Sequence, residues 1–109
     1  MFDRPQIKPE ECTDLECVEK LVREVLGISK PITLGDANGK PAKELEKEIV
    51  IDTRHLDSFQ TEVGYDAKLV SSYLVACVMY AVFGKEKAVE KAKELWPDSL
   101  INLVLVTYL

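Results

Sequence analysis

The first clear pattern of hydrophobic and polar positions begins near residue 13 and has a helical period. Four apolar residues recur at spacings of three and four, which places them on one face of an α-helix: Leu15, Val18, Val22 and Val25. Thr13 and Glu16 have the spacing of a capping box, in which two side chains bind free backbone amides of the first turn. Gly27 suits the left-handed conformation that ends many helices. The pattern therefore predicts an amphipathic helix over residues 13–26.

Two apolar runs in the middle of the chain predict β-strands. Residues 31–34 include β-branched side chains, and residues 48–53 carry three consecutive apolar residues, which indicates burial on both faces of a strand. Asn38 and Gly39 lie between these runs and form a dipeptide that tolerates two positive φ angles. We therefore expect a hairpin turn at residues 35–40 and a small sheet.

The longest apolar segment, residues 66–83, predicts a helix that is apolar on nearly every side. Such a helix cannot face water, so a sheet must cover one side and other helices or another subunit must cover the rest. Upstream of it, Asp57 and Gln60 have the spacing of a second capping box, which predicts a helix that begins at Ser58. Two versions stay open: Gly64 interrupts this helix, or one continuous helix runs through it.

The remaining segments complete a mixed fold. Residues 85–96 predict an amphipathic helix with Lys and Glu on its outer face. The segment LINLVLVTYL, residues 100–109, is interrupted only by Asn102 and Thr107 and predicts an interior strand, which at a sheet edge would pair with a copy of itself. We expect one α+β domain over residues 1–109, with a small three- or four-stranded sheet packed against the long buried helix and two amphipathic helices.

Composition and charge narrow the classes of partner. The net charge of −5 and the alternation of Lys with Glu argue against nucleic-acid binding. The longest uninterrupted apolar run, residues 73–83, is well short of the roughly 20 residues of a membrane helix, and the first twelve residues lack the apolar core of a signal peptide. We therefore expect a cytoplasmic protein that contacts no membrane. Lys and Glu supply 23 residues against 4 for Asn and Gln, a bias typical of proteins from hot habitats.

Three cysteines raise the question of a bridge or a metal site. If Thr13 caps the first helix, Cys12 and Cys17 occupy the two positions that a hydrophobic staple brings together. A packing contact and a disulfide both fit this geometry, and intracellular disulfides occur in hyperthermophiles. A metal site fits least, because the pair lacks a second set of ligands and Cys77 lies inside an apolar helix. We expect neither a metal nor a cofactor.

One polar cluster follows the predicted strand 48–53 and is the candidate site. Asp52, Arg54, His55 and Asp57 lie where a rigid strand can aim side chains and a loop can expose them. His55 has the chemistry of a general base oriented by an aspartate, and Arg54 that of an anion holder. The competing interpretation is structural: Asp52 pairs with Arg54, Asp57 caps a helix and His55 is an ordinary loop residue.

Two functional hypotheses follow from these patterns. The first is a homo-oligomeric binding or scaffold module without catalysis, most simply a dimer. Its basis is that residues 66–83 and 100–109 hold more apolar surface than one small fold can cover. We expect a partner to bind at Tyr80 and at the face from Val78 to Val82. The second is a small acid-base enzyme or ligand-binding protein that uses the Asp52 cluster on an anionic small molecule.

Overall fold

A three-stranded mixed sheet organises the fold in the computed structural model, which describes residues 7–109. The strands are β1 (Ile32–Gly35), β2 (Ala42–Glu44) and β3 (Ile49–Asp52). The spatial order is β1-β3-β2, so β3 is central, parallel to β1 and antiparallel to β2. All four residues of β3 are buried, as its apolar run predicts. The expectation that the chain lacks a signal peptide was based on residues 1–12. Of these, residues 1–6 lie outside the part of the chain that the structure describes.

The predicted hairpin is wrong, although its turn forms. Asn38 and Gly39 both have positive φ angles, 56° and 84°, as the dipeptide suggests. However, β1 and β2, which flank this turn, do not pair, because β3 lies between them. A strand with consecutive apolar side chains is buried on both faces, as is typical of a sheet interior, and β3 takes that position between β1 and β2.

The described residues also contain five α-helices, preceded by a short 3₁₀ turn at Pro9–Glu11. They are α1 (Leu15–Leu26), α2 (Thr53–Glu62), α3 (Ala67–Phe83), α4 (Lys85–Leu95) and α5 (Ile101–Thr107). The helices and the three-stranded sheet confirm the predicted α+β class, with the long buried helix α3 at its centre.

Helix α1 is close to its prediction but begins one residue later than the capping box suggests. Asp14, and not Thr13, is the cap: its carboxylate accepts a hydrogen bond of 2.8 Å from the backbone N–H of Cys17. Gly27 ends the helix with a φ of 70°. The Glu19 carboxylate accepts a 2.7 Å hydrogen bond from the N–H of Ile32, which ties α1 to the outer edge of β1.

Cys12 and Cys17 form a disulfide, which decides between the two alternatives left open by the sequence. Their Cα atoms are 5.3 Å apart and five positions separate them in the chain. Cys12 is fully buried, whereas Cys17 is partly exposed. The bridge therefore fastens the Pro9–Glu11 turn, which packs on α3, to the first turn of α1.

The segment from Asp52 to Phe83 contains two helices and not one. Helix α2 begins at Thr53, five residues before the predicted start, because Asp52 caps it at the end of β3. Gly64 and Tyr65 then have positive φ angles of 64° and 58°, which breaks the helical path. Asp66 caps α3 through a 3.0 Å hydrogen bond from the N–H of Leu69.

Helix α3 is enclosed by its own chain over most of its length. Residues 71–79 are all buried, and α3 packs against β2, β3, α1, α4, α5 and the Pro9–Glu11 turn. The first turn, residues 67–70, is exposed or partly exposed, and the last turn, residues 80–83, is half-buried. The helix therefore needs no partner subunit to cover its central face, and its Val78 is inaccessible.

The predicted C-terminal strand is wrong, because residues 101–107 form α5. Its buried residues, Ile101, Val104 and Leu105, follow the helical period and pack against α3 and α4. Local polar groups begin the helix: the Ser99 hydroxyl accepts a 3.1 Å hydrogen bond from the N–H of Ile101. The Asn102 side-chain N–H donates to the carbonyl of Trp96 at 2.7 Å. An uninterrupted apolar run fits a strand or a helix equally, and these bonds favour the helix.

Candidate functional site

The candidate site lies at the edge of the sheet where the parallel strands β1 and β3 end. Gly35 is opposite Asp52 in the register, so the residues that follow the two strands meet at one edge. Strand β3 passes directly into α2, and the Thr53 hydroxyl donates a long hydrogen bond of 3.4 Å to the carbonyl of Gly35. The edge therefore combines two strand ends with the first turn of a helix.

Asp52 is buried and both of its carboxylate oxygens are engaged by backbone amides. One accepts from the N–H of Ala37 at 3.0 Å, and the other accepts from the N–H of His55 at 3.0 Å. These hydrogen bonds, that of Ala37 first, hold the pKa of Asp52 below its ordinary value of 3.8. Asp52 is thus an ionised acceptor that joins the loop after β1 to α2, and it is unsuited to taking a proton near neutral pH.

The ring of His55 contacts the turn at Asn38–Gly39 and not an aspartate. Its Nε2 lies 3.0 Å from the carbonyl oxygen of Gly39. Because that oxygen can only accept, Nε2 carries the hydrogen and Nδ1 is the acceptor of the neutral ring. Asp52 bonds the backbone of His55 rather than its ring, so within residues 7–109 no aspartate orients the imidazole as the acid-base hypothesis expects.

Arg54 lines a cavity of about 180 Å³ at this edge, together with Gly35, Asp36, Asp52 and Thr53. The cavity therefore contains two carboxylates and one guanidinium. The expected ion pair between Asp52 and Arg54 does not form, since across residues 7–109 the salt bridge present is that of Lys30 with Glu44.

The structure brings together only part of the predicted cluster. His55 and Asp57 are not among the residues that line the cavity, and Asp57, exposed within α2, is not a helix cap. Sequence reasoning missed the contributions of Gly35, Asp36 and Ala37, because their proximity depends on the parallel pairing of β1 with β3. No local signal in the sequence distinguishes this pairing from a hairpin.

The side chains of Ser72, Tyr73 and Cys77 on α3 have structural roles. The Ser72 hydroxyl donates to the carbonyl of Lys68 at 2.9 Å, the back-bonding common for serine in helices. Tyr73 is buried and stacks on Phe59 with ring centroids 4.2 Å apart, and burial raises its pKa. Burial likewise raises the pKa of the Cys77 thiol to about 12, so this cysteine is not a nucleophile in the folded protein.

A second feature is the outer side of α5, which we call the α5 face and define as Leu100, Leu103 and Val106. Leu103 is 52 % exposed and Val106 is 59 % exposed, while Leu100 is partly exposed. The three residues lie one helical turn apart in succession and form one apolar stripe. By contrast, the region around Tyr80, where the sequence led us to expect a partner, offers less exposed surface. Residues 80–83 are partly buried, and the preceding residues 71–79 are buried.

Metal-binding clusters and membrane-spanning helices are absent from the part of the chain that the structure describes. Between residues 7 and 109 there is no group of three or more His, Cys, Asp or Glu side chains arranged to hold a metal ion. No helix in that range has both the length and the apolar content needed to cross a membrane. Comparison with known proteins finds no matching family, no matching curated protein and no matching solved structure.

Proposed function

We propose that this protein is a homo-oligomeric binding module without its own catalysis, most simply a dimer, in which two copies meet through the α5 face. The observation that supports the proposal most directly is that α5 is apolar on both sides. Its inner side is buried in the fold, and its outer side leaves Leu103 and Val106 more than half exposed. A helix that is apolar all round is normally covered on all sides.

The absence of charge on this segment favours a second copy as the occupant. Residues 100–109 contain no charged side chain, while the whole chain carries a net charge of −5. Two identical acidic molecules repel each other least where they meet through an uncharged surface. A two-fold axis between the α5 helices of two copies would place the apolar stripe of one copy against that of the other, as symmetric dimers require.

The size of the α5 face predicts weak association. One short helix provides a contact area at the low end for specific interfaces, so we expect dissociation in the micromolar range or above. Sedimentation equilibrium over a range of concentrations tests this expectation. The mean mass should rise from 12.3 kDa toward twice that value as the concentration increases.

A charge introduced into the α5 face should abolish association without unfolding the chain. We expect Val106→Glu to remain at 12.3 kDa at every concentration, because two buried glutamates would meet across the two-fold axis. Leu45→Glu is the matched control, since Leu45 is 39 % exposed but lies between β2 and β3. A wild-type chain that stays monomeric throughout, or a control that dissociates equally, contradicts the proposal.

The alternative function, a small acid-base enzyme or ligand-binding protein at the Asp52 cluster, has weaker support. The carboxylate of Asp52 is occupied by amides, and the lining of two carboxylates and one guanidinium repels an anion more than it attracts one. His55→Ala tests this alternative: loss of binding of a small carboxylate or phosphate, with an unchanged melting temperature, would favour it over the binding module.

A further inference from the structure

A separate cavity of about 260 Å³ lies among the Pro9–Glu11 turn, the end of α2 and the beginning of α3. Val70 and Leu74 give it an apolar lining, and Glu10, Gln60 and Ser71 contribute polar groups. Tyr65, which is 67 % exposed, also lines it. Neither the α5 face nor the Asp52 cluster uses this cavity.

The Ser71 hydroxyl is the first indication that the cavity takes a ligand. Ser71 is only 5 % exposed, yet it lines the cavity. Its neighbour Ser72 bonds back to the carbonyl of Lys68, whereas the Ser71 hydroxyl has no hydrogen-bond partner within residues 7–109. Because no residue between 7 and 109 engages this hydroxyl at the cavity wall, it is available to water or to a bound molecule.

The charge of the residues that line the cavity determines whether a bound molecule is a cation or an anion. Among the described residues, Glu10 is the only charged side chain at the cavity. One of its oxygens accepts a hydrogen bond from the Ser99 hydroxyl, which fixes the carboxylate in place, and the second oxygen accepts no side-chain hydrogen bond from residues 7–109. Since the cavity lining in the described part of the chain has no lysine or arginine, this carboxylate favours a cation, and the overall charge of −5 acts in the same direction.

The remaining groups suit an ammonium on a short alkyl chain. Hydroxyl and amide oxygens, here from Ser71 and Gln60, accept hydrogen bonds from an ammonium, which is only a donor. Aromatic rings such as that of Tyr65 attract cations over their faces. Val70 and Leu74 offer the apolar contact that an alkyl chain needs. The volume is below that of pockets for drug-sized ligands, which limits the ligand to a few carbon atoms.

We propose that this cavity binds an alkylammonium group, with the ammonium at Glu10 and Ser71, the alkyl chain on Val70 and Leu74, and Tyr65 closing over it. The same group occurs in free small amines and in the lysine side chains of other proteins.

An NMR titration of the full chain with n-butylammonium chloride tests the proposal, against sodium chloride at equal ionic strength. We expect saturable shifts at the backbone amides of Gln60, Tyr65 and Ser71, with a dissociation constant in the millimolar range, as befits so small a ligand. n-Butanol has the same alkyl chain without the charge and should bind about tenfold more weakly. Absence of saturable shifts, or equal affinity for the two compounds, overturns the proposal.

Variants separate the local carboxylate from the general charge of the protein. Glu10→Gln keeps an oxygen for Ser99 but removes the charge, and should reduce n-butylammonium affinity about tenfold. Glu62→Gln is the matched control, because it changes the net charge equally at an exposed position outside the cavity, and it should bind like the wild type. Equal losses in both variants would refute a specific site.

Two further measurements complete the design. Ser71→Ala keeps the carboxylate and should weaken n-butylammonium binding while the melting temperature stays near that of the wild type; unchanged affinity would overturn the role of the hydroxyl. Nα-acetyl-lysine amide presents the same ammonium on a four-carbon stem as part of an amino acid. Tighter binding of this compound identifies a protein lysine as the source, and tighter binding of n-butylammonium identifies a free amine.

Discussion

Reduction of the Cys12–Cys17 disulfide should lower the stability of the folded protein by an amount that its short loop determines. The bridge joins residues five positions apart, so opening it releases a small loop in the unfolded chain. For a loop of that length, the chain-entropy relation gives about 2 kcal/mol at 25 °C. For a domain near 100 residues, this corresponds to a decrease of roughly 10 °C in melting temperature.

Urea unfolding followed by far-UV circular dichroism, with and without a reducing agent, measures this difference. The transition midpoint should fall on reduction. Thiol titration in denaturant verifies the redox state: one reactive thiol, that of Cys77, is expected for the oxidised chain and three for the reduced chain. The double variant Cys12→Ser/Cys17→Ser is the control, since the reducing agent should not change its midpoint.

The size of the effect also tests how the bridge acts. A decrease near 2 kcal/mol fits a restriction of the unfolded chain alone. The Pro9–Glu11 turn packs on α3, so its release could also expose core surface and add to the loss. An unchanged midpoint, with three titratable thiols confirmed, would refute the reasoning and show that this turn is held on α3 without the bridge.

Three further predictions concern α5, the edge of the sheet and the core. Leu105→Ala should lower the free energy of unfolding by about 2–5 kcal/mol, because Leu105 is buried in the helix, whereas the exposed Leu103→Ala should lower it by less than ~0.5 kcal/mol at low protein concentration. Urea unfolding measures both losses, and similar values would indicate that this segment is a strand. Asp52→Asn should lower stability at neutral pH. Because the folded-state pKa of Asp52 lies below 3.8, the contribution of its carboxylate to stability is complete above that pH and is lost as the pH falls below it. Urea midpoints measured across this pH range should therefore vary less in the variant than in the wild type. An equal pH dependence of the two proteins would contradict this role of Asp52. Iodoacetamide at mildly alkaline pH should not modify Cys77 until the protein unfolds, and modification of the native protein, seen by mass spectrometry, would show that its burial is incomplete.

The elements that the sequence predicted well are those whose period is visible within one segment. Helix α1 shows its apolar stripe and its glycine end, and β3 shows its buried run. Strand β2 has only three residues and no such pattern, so it was missed. The strand order was also inaccessible, because it depends on which distant segments compete for the two edges of β3.

The candidate site shows the same limit at the level of side chains. The sequence identified Asp52 as a polar residue at the end of a buried strand, which is correct. Its actual partner, the amide of Ala37, is 15 residues away and reaches Asp52 only because β1 runs parallel to β3. The prediction that Asp57 would cap a helix failed because Asp52 comes first and caps the helix directly at the end of β3.

Residues 100–109 leave different surfaces exposed as a strand and as a helix. As a central strand, residues 100–109 could have buried both of their faces in one sheet, and no apolar surface would have remained. As a helix packed on α3 and α4, the same residues bury one side and leave Leu103 and Val106 in water. The apolar surface that a partner would cover is therefore one stripe on the helix, and its two exposed residues can be changed without touching the core.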